Sequence, residues 1–278
     1  MSMTPETPSF LSGLWQARYR DGSSSRLIDN PVVRTLLSHR SVRHYLPHPL
    51  PENTLETLVA AAQSAATSSN LQAWSVIAVE DQERRDRLAY LAGNQAHIAA
   101  APLFLVWVAD LSRLGRMASR ADSPREALDY TEMFIVAAVD ATLAAQNAVI
   151  AAESLGLGTV YIGGLRNHPV EVAKELDLPP GAFSIFGLCV GHPDPTKPAS
   201  VKPRLPQEAI LHRERYDAAH EDARIARYDV DANGFQIERG LKPRAWSSTM
   251  LRRIGSLAGL SGRDVMKEAL KKLGFSLR

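Results

Sequence analysis

The chain carries a single cysteine, Cys189, in 278 residues. One thiol can build neither an internal disulfide framework nor an all-cysteine metal site, and its scarcity suits a reducing compartment. Nor is there an excess of one charge: 32 Lys and Arg stand against 30 Asp and Glu, a formal net charge of +2. That balance gives no electrostatic case for nucleic acid. Residues Met1 to Phe10 lack a basic segment and no continuous apolar run follows them, so no secretory signal is read and a cytoplasmic location is expected. The one long apolar stretch, Met133 to Ala152, is interrupted by Asp140, Thr142, Gln146 and Asn147 and reads as a buried protein helix, not a membrane span. Neither a GxGxxG fingerprint after an N-terminal strand nor a GxxxxGK[ST] loop occurs, which disfavours a Rossmann domain and an ATPase. His39, His97, His168 and His192 show no zinc-ligand spacing, so no metal is expected.

What is present is an ordinary globular composition, 45% apolar and 22% charged, long enough for a sizeable core. Residues 1–28 read as an N-terminal extension, a short helix plus a polar linker, with Leu11, Leu14 and Trp15 as packing anchors. The body, 29–278, opens at Asn30 and Pro31, a cap followed by a first-turn proline, and Val32, Val33, Leu36 and Leu37 give that helix its apolar stripe up to about His39. A second helix follows Pro51, with Leu55, Leu58, Val59 and Ala62 at three-and-four spacing. Trp74 to Val79 and Leu103 to Val108 read as central strands, with a charged helix from Asp81 to Leu91 between them. Residues 111–124 read as a polar connection, able to be mobile and to border a substrate entrance. From about Tyr130 to Leu155 a helix is apolar nearly all round and stops at Gly156, which suggests the centre of the protein or a large subunit interface. Thr159 to Ile162 and Ser184 to Val190 add two strands around a short helix from about Val170 to Leu176. After Gly191 the chain reads as an extended Pro-rich loop to Pro206, then a charged stretch from Arg213 to Arg227. Ser261 with Asp264 resembles a capping box before a terminal helix stopped by Gly274.

Three short segments carry chemistry. His39-Arg40-Ser41-Val42-Arg43 offers two planar guanidinium groups and a hydroxyl able to hold a phosphate or the polar edge of a heterocycle, although basic pentapeptides at helix ends are often merely solvated. Tyr161-Ile162-Gly163-Gly164-Leu165-Arg166 leaves a strand into two glycines, whose backbone can approach a flat ligand or form a tight turn. Lys202-Pro203-Arg204 spaces two cations about a stiff proline, as a phosphate clamp or as loop decoration. Cys189 sits in a strand and reads as structural, and Phe104 and Trp107 read as core.

Taken in order, these segments together with Thr67-Ser68-Ser69-Asn70-x-Gln72, Gly93-Asn94-Gln95-x-His97, Ala145-Gln146-Asn147-Ala148, Glu153-Ser154-Leu155-Gly156-Leu157-Gly158, Phe186-Gly187-Leu188-Cys189-Val190-Gly191 and Lys202-Pro203-Arg204-Leu205-Pro206 resemble the NADPH-dependent, oxygen-insensitive nitroreductase and flavin reductase branch of the nitroreductase superfamily. The resemblance runs from about Pro31 to the C-terminus. It implies an α+β fold with a mainly antiparallel central sheet surrounded by helices, a long buried core or interface helix and a C-terminal excursion over about 207–278. It also implies a homodimer with FMN bound at the subunit interface, a nicotinamide cofactor and a small-molecule electron acceptor, with no nucleic acid or membrane partner. By the same resemblance His39, Arg40, Ser41 and Arg43 hold the FMN phosphate and pyrimidine side. Ser69, Asn70, Gln72 and Gln95 approach the ring or ribityl polar atoms, the backbone of Tyr161, Ile162, Gly163, Gly164 and Leu165 passes near the ring, and Lys202 and Arg204 lie near the phosphate or the N1–C2 edge. Arg239, Arg244 and Arg263 are the candidates for reading the extra phosphate of NADPH. The implied activity is ping-pong reduction of nitroaromatics, quinones or free flavin, with the redox chemistry carried by FMN and no protein acid, base or nucleophile required. A dedicated flavin reductase supplying reduced FMN and a non-catalytic flavin-binding protein are the competing readings. The sequence departs from the pattern in its N-terminal extension, in a shortened Thr67 to Asn70 segment and in the length of the late loop.

Overall fold

The computed structural model describes residues 10–21 and 27–278, so most of the polar linker expected before Leu27 lies outside the described residues. The helices, in chain order, are α1 (Phe10–Tyr19), α2 (Pro31–Ser38), α3 (Thr54–Gln63), α4 (Gln82–Leu91), α5 (Ala96–Ala100), α6 (Ser112–Arg120), α7 (Thr131–Ser154), α8 (Pro169–Glu175), α9 (Glu221–Glu238), α10 (Trp246–Ile254) and α11 (Met266–Lys272). The strands are β1 (Trp74–Val79), β2 (Leu103–Asp110), β3 (Gly158–Ile162) and β4 (Ala182–Gly191). The chain divides into two compact units, Met1–Arg40 with Ser200–Leu260, and Ser41–Ala199 with Ser261–Arg278.

The second unit is built on an antiparallel sheet in the order β1-β2-β4-β3. Every residue of β2 is buried, as the unbroken run from Leu103 to Ala109 requires of a central strand covered on both faces. Alternation along β2 sorts the core into two layers. Leu103, Leu105 and Trp107 pack with Leu58 of α3 and Ala144, Ala145, Ala148 and Val149 of α7. Phe104, Val106 and Val108 face the other way, toward Leu88 of α4, Ile98 of α5 and Val172 of α8. Cys189 lies in that second layer with no exposure, and burial pushes its thiol pKa far up, which makes it an inert packing residue. The fold is thus α+β, with a central antiparallel sheet between helical layers.

In α7 the alanines at 137, 141, 144, 145, 148 and 152 form the buried stripe, and their small size lets the helix lie close on the sheet. Among the described residues it is the one helix long and apolar enough to cross a membrane. Its length is instead explained by this packing and by an apolar outer face, on which Ile135, Val139 and Leu143 remain 49%, 48% and 42% exposed.

In the first unit, α1 buries Leu11 and Trp15, and Leu14 is half-buried, as the apolar spacing of the extension indicates. Asn30 caps α2 through its side chain, which accepts from the Val33 N–H at 3.0 Å, and Pro31 occupies the first turn. Tyr228 of α9 is buried and meets Trp246 of α10 edge-on at 5.5 Å between ring centres.

Two expectations are corrected. Residues 111–124, read as a polar connection able to be mobile, hold a helix: 112–120 form α6, started by Asp110, whose carboxylate accepts from the Ser112 N–H at 3.0 Å. This helix buries Ser112 and Gly115, small residues that leave no apolar stripe to read. The expected capping box at Ser261 does not form. Ser261 and Gly262 both take left-handed backbone, φ 55° and 81°, which turns the chain, and α11 begins only at Met266 after a 3-10 turn from Arg263 to Val265. Gly274 does provide the stop, at φ 91°.

Candidate functional site

In the first unit the chain leaves α2 at His39 in an extended conformation, its N–H still donating to the Leu36 carbonyl at 3.3 Å. Arg40 follows, exposed, with its guanidinium 3.5 Å from the Ser38 carbonyl, at the limit of a hydrogen bond. Lys202 and Arg204 are exposed on either side of buried Pro203, whose carbonyl accepts from the Tyr228 hydroxyl at 3.0 Å. Arg204 turns its guanidinium toward the carbonyls of Lys202 and Pro203 at 3.4 and 3.2 Å, contacts weak enough to exchange for an anion. Arg239 ends α9, and Arg244 lies on the exposed loop before α10, where its carbonyl accepts from Gln236 Nε2 at 2.9 Å.

In the second unit Ser41 pairs with Thr159 in a single parallel bridge, and the Val42 N–H donates to the Thr159 carbonyl at 2.8 Å. This fixes the start of the unit against β3. The Gly158 position leaves almost no room there, since a Cβ would sit 2.7 Å from the Val42 side chain. Arg43 is exposed, and its charge, with that of His44, adds to burial in lowering the pKa of half-buried His97. The imidazole is therefore held toward its neutral form, and its Nε2 is buried with no hydrogen-bond partner among the described residues.

The Thr67 to Gln72 segment is wound against the usual sterics. Ser69, Asn70 and Gln72 adopt φ of 47°, 56° and 49°, three non-glycine residues in the left-handed region within four positions. Their side chains are exposed and make no hydrogen bond among the described residues. The winding is held from beneath by Asp140 of α7, only 2% exposed. Its carboxylate accepts from the Thr67 hydroxyl at 2.6 Å, the Ser68 N–H at 3.2 Å and the Ala73 N–H at 3.0 Å. The Thr67 oxygen in turn accepts from the Gln72 N–H at 2.9 Å. Asp140 thus has a constructive role that sequence reasoning missed, although a carboxylate inside an apolar helix was itself a signal.

The structure brings Gln95 to the glycine pair. Its Nε2 donates to the Ala92 carbonyl at 2.8 Å, and a Cβ on Gly164 would lie 2.3 Å from both that oxygen and Gln95 Nε2. The missing side chain at 164 is therefore demanded by the protein's own packing. Tyr161 donates to Gln146 Oε1 at 3.3 Å and packs edge-on against Phe186 at 4.8 Å. Beyond the glycines, Arg166 donates to the Ile185 carbonyl, and Arg263 Nε donates to Asn167 Oδ1 at 2.9 Å. Burial and the nearby Arg263 charge lower the Arg166 pKa, so this end of the loop holds two cations close together, an arrangement that favours an anion.

A cleft of about 830 Å³ in the same unit, lined by Arg116, Arg120, Arg125, Pro179 and Phe275, contains none of these motif residues. No group of His, Cys, Asp and Glu suited to a metal ion occurs among the described residues.

The two units offer different donors, each described by itself. In the first unit Arg40 and Arg204, exposed and with weak internal contacts, suit a phosphate; in the second, the uncommitted hydroxyl and amides of Ser69, Asn70 and Gln72 suit the polar edge of a ring. Residues 36–192 match the family model described as Nitroreductase family, and residues 202–278 match Nitroreductase family, C-terminal domain. The FMN reductase (NADPH) of Bacillus subtilis is 38% identical over 252 residues, spanning 89% of this chain and 99% of that relative. The NADPH-flavin oxidoreductase of Vibrio harveyi is 38% identical over 239 residues, 85% of this chain and 95% of the relative. Among solved structures, NfrA2 of B. megaterium superposes with a TM-score of 0.84 at 40% identity, covering 90% of this chain and 100% of that one. Two matched family segments and near-full-length likeness lead to one conclusion: the chain belongs to the nitroreductase family of oxidoreductases.

Proposed function

We propose that the protein is a cytoplasmic FMN-dependent NADPH oxidoreductase that reduces nitroaromatics, quinones or free flavin by a ping-pong mechanism. The observation that carries this reading is the ordered set of polar motifs, retained in a chain that aligns over nearly its whole length with relatives named as NADPH-dependent flavin reductases. FMN, when bound, supplies the two-electron chemistry. In the first unit, Arg40, Lys202 and Arg204 provide positive charge for the phosphate and for the reduced ring's N1–C2 edge, and His39 adds a ring N–H donor. In the second, Ser41, Arg43, Ser69, Asn70, Gln72 and Gln95 hydrogen-bond the polar atoms, and the backbone from Tyr161 to Leu165 lies along the ring. The protein's share is alignment and electrostatic tuning. Arg239, Arg244 and Arg263 read the additional phosphate of NADPH, for which a planar two-point donor is the suitable group. Steady-state rates with NADPH and a nitroarene varied together should give parallel reciprocal plots; intersecting plots would overturn the ping-pong order. The name of the B. subtilis relative favours one second reading, a dedicated reductase supplying reduced FMN, for which free FMN would be the preferred acceptor.

A homodimer is part of this proposal. Ile135, Val139 and Leu143 follow one another at four-residue steps on the outer face of α7, a stripe suited to burial against a second copy. Light scattering should give twice the 278-residue mass, and Val139→Glu should halve it. A monomeric wild-type protein would remove this part of the reading.

A further inference from the structure

Arg18, in the last turn of α1, is 5% exposed. A guanidinium is seldom buried this deeply unless its donors are engaged. Here Nη2 donates to the carbonyls of Leu37 at 2.7 Å and His39 at 3.0 Å, and Nη1 to the carbonyl of Lys202 at 3.0 Å. The Arg18 carbonyl accepts from the Arg204 N–H at 2.8 Å. One residue therefore ties together two segments more than 160 positions apart in sequence, each bearing a pair of basic side chains: His39 with Arg40, and Lys202 with Arg204. All these contacts lie inside the first unit. Leu11 and Trp15, both buried, anchor the helix that carries the guanidinium. The helix itself precedes the family-matched segments, 36–192 and 202–278.

Two cationic segments brought together repel each other and lose conformational freedom when an anion closes them. A fixed fork of donors to their carbonyls removes much of that loss beforehand, which is how preorganisation raises affinity. A lysine does this less well, because one compact ammonium replaces the two-nitrogen fork that reaches the three carbonyls.

We propose that Arg18 is a positioning residue that holds His39-Arg40 and Lys202-Arg204 ready for a ligand phosphate, so that the N-terminal helix sets the preference for the phosphorylated flavin. This rests on the FMN reading above. The discriminating probe is riboflavin, which has the ring and ribityl chain of FMN but no phosphate. Full-length protein freed of flavin is titrated with FMN and with riboflavin, followed by flavin fluorescence, alongside Arg18→Gln and Arg18→Lys, with circular dichroism melts on each. The wild type should favour FMN. Arg18→Gln should raise the Kd for FMN roughly tenfold or more and leave riboflavin within about twofold, with Arg18→Lys between wild type and Gln. Equal weakening of both flavins would assign Arg18 to general fold support and overturn the proposal, as would no change for either. Should Arg18→Gln not fold, the Arg18→Lys titration decides by the same comparison. A wild type that binds both flavins equally would instead remove the phosphate assignment of His39, Arg40, Lys202 and Arg204, and one that binds neither would remove the FMN reading itself.

Discussion

Alanine in place of Asp140 should lower folding stability by about 3 to 5 kcal/mol, since three donors lose one acceptor together. An unsatisfied buried donor costs on the order of 1–3 kcal/mol. The Ala73 N–H, in a residue 1% exposed, bears that in full, whereas Thr67 and Ser68 lie nearer solvent and recover part of it from water. The loss reaches beyond stability. Without the carboxylate the left-handed backbone at Ser69, Asn70 and Gln72 loses its anchor on α7 and keeps only local contacts and the Arg113 hydrogen bond to the Gln72 carbonyl at 3.0 Å, so flavin affinity should fall in the same variant. Asp140→Asn keeps one acceptor but turns an NH₂ toward a donor, and should show about half the destabilisation. Urea unfolding and a flavin titration measure the two effects. An Asp140→Ala protein as stable as wild type would show that the carboxylate does not organise the loop.

The second large effect is expected at Gly164. A methyl group there would stand 2.3 Å from the Ala92 carbonyl oxygen, a backbone atom that cannot rotate away, and as close to Gln95 Nε2. Overpacking of this kind costs about 2–3 kcal/mol. Because Gln95 must move, flavin affinity should fall in Gly164→Ala even where the fold survives. The neighbouring glycine is the internal control: a Cβ on Gly163 would meet only the Arg166 side chain, at 3.3 Å, and a flexible side chain can yield. Gly163→Ala should therefore melt close to wild type. Equal melting points for the two variants would contradict the packing account of Gly164.

Much of the fold is legible in the sequence where one local rule dominates. The Asn30-Pro31 start of α2 follows from capping chemistry, β1 coincides with the run Trp74 to Val79, and Asp81 caps α4 by accepting from the Arg84 N–H at 2.7 Å. α7 announces itself by length and composition. Elements are missed where burial falls on residues that carry no hydrophobic signal. α6 buries a serine and a glycine, and α9, most of it beyond the charged stretch, buries only Tyr228 and Ala232 across eighteen residues. The Ser261 cap fails for a different reason, a left-handed pair of residues that spacing alone does not reveal.

The candidate site divides in the same way. Its loops stand out as short polar strings, so candidate ligand-binding residues can be nominated from their order. The residues supporting those loops cannot, because their meaning lies in partners distant along the chain. Asp140 reads as a flaw in an apolar helix until its contacts 67 to 73 positions away are known. Arg18 reads as one more charge in a polar extension until its guanidinium is found against the carbonyls of residues 37, 39 and 202. Gly164 shows the converse, a glycine whose apparent purpose was room for a ligand and whose observed constraint is room for Ala92 and Gln95.

The central claim, that the chain passes electrons from a nicotinamide cofactor to bound FMN, is tested most directly by anaerobic stopped-flow mixing of the FMN-loaded protein with NADPH and, separately, with NADH while flavin absorbance is followed. The account predicts rapid bleaching, faster with NADPH. Full FMN occupancy with no bleaching by either cofactor would contradict it and leave a flavin-binding protein without reductase activity.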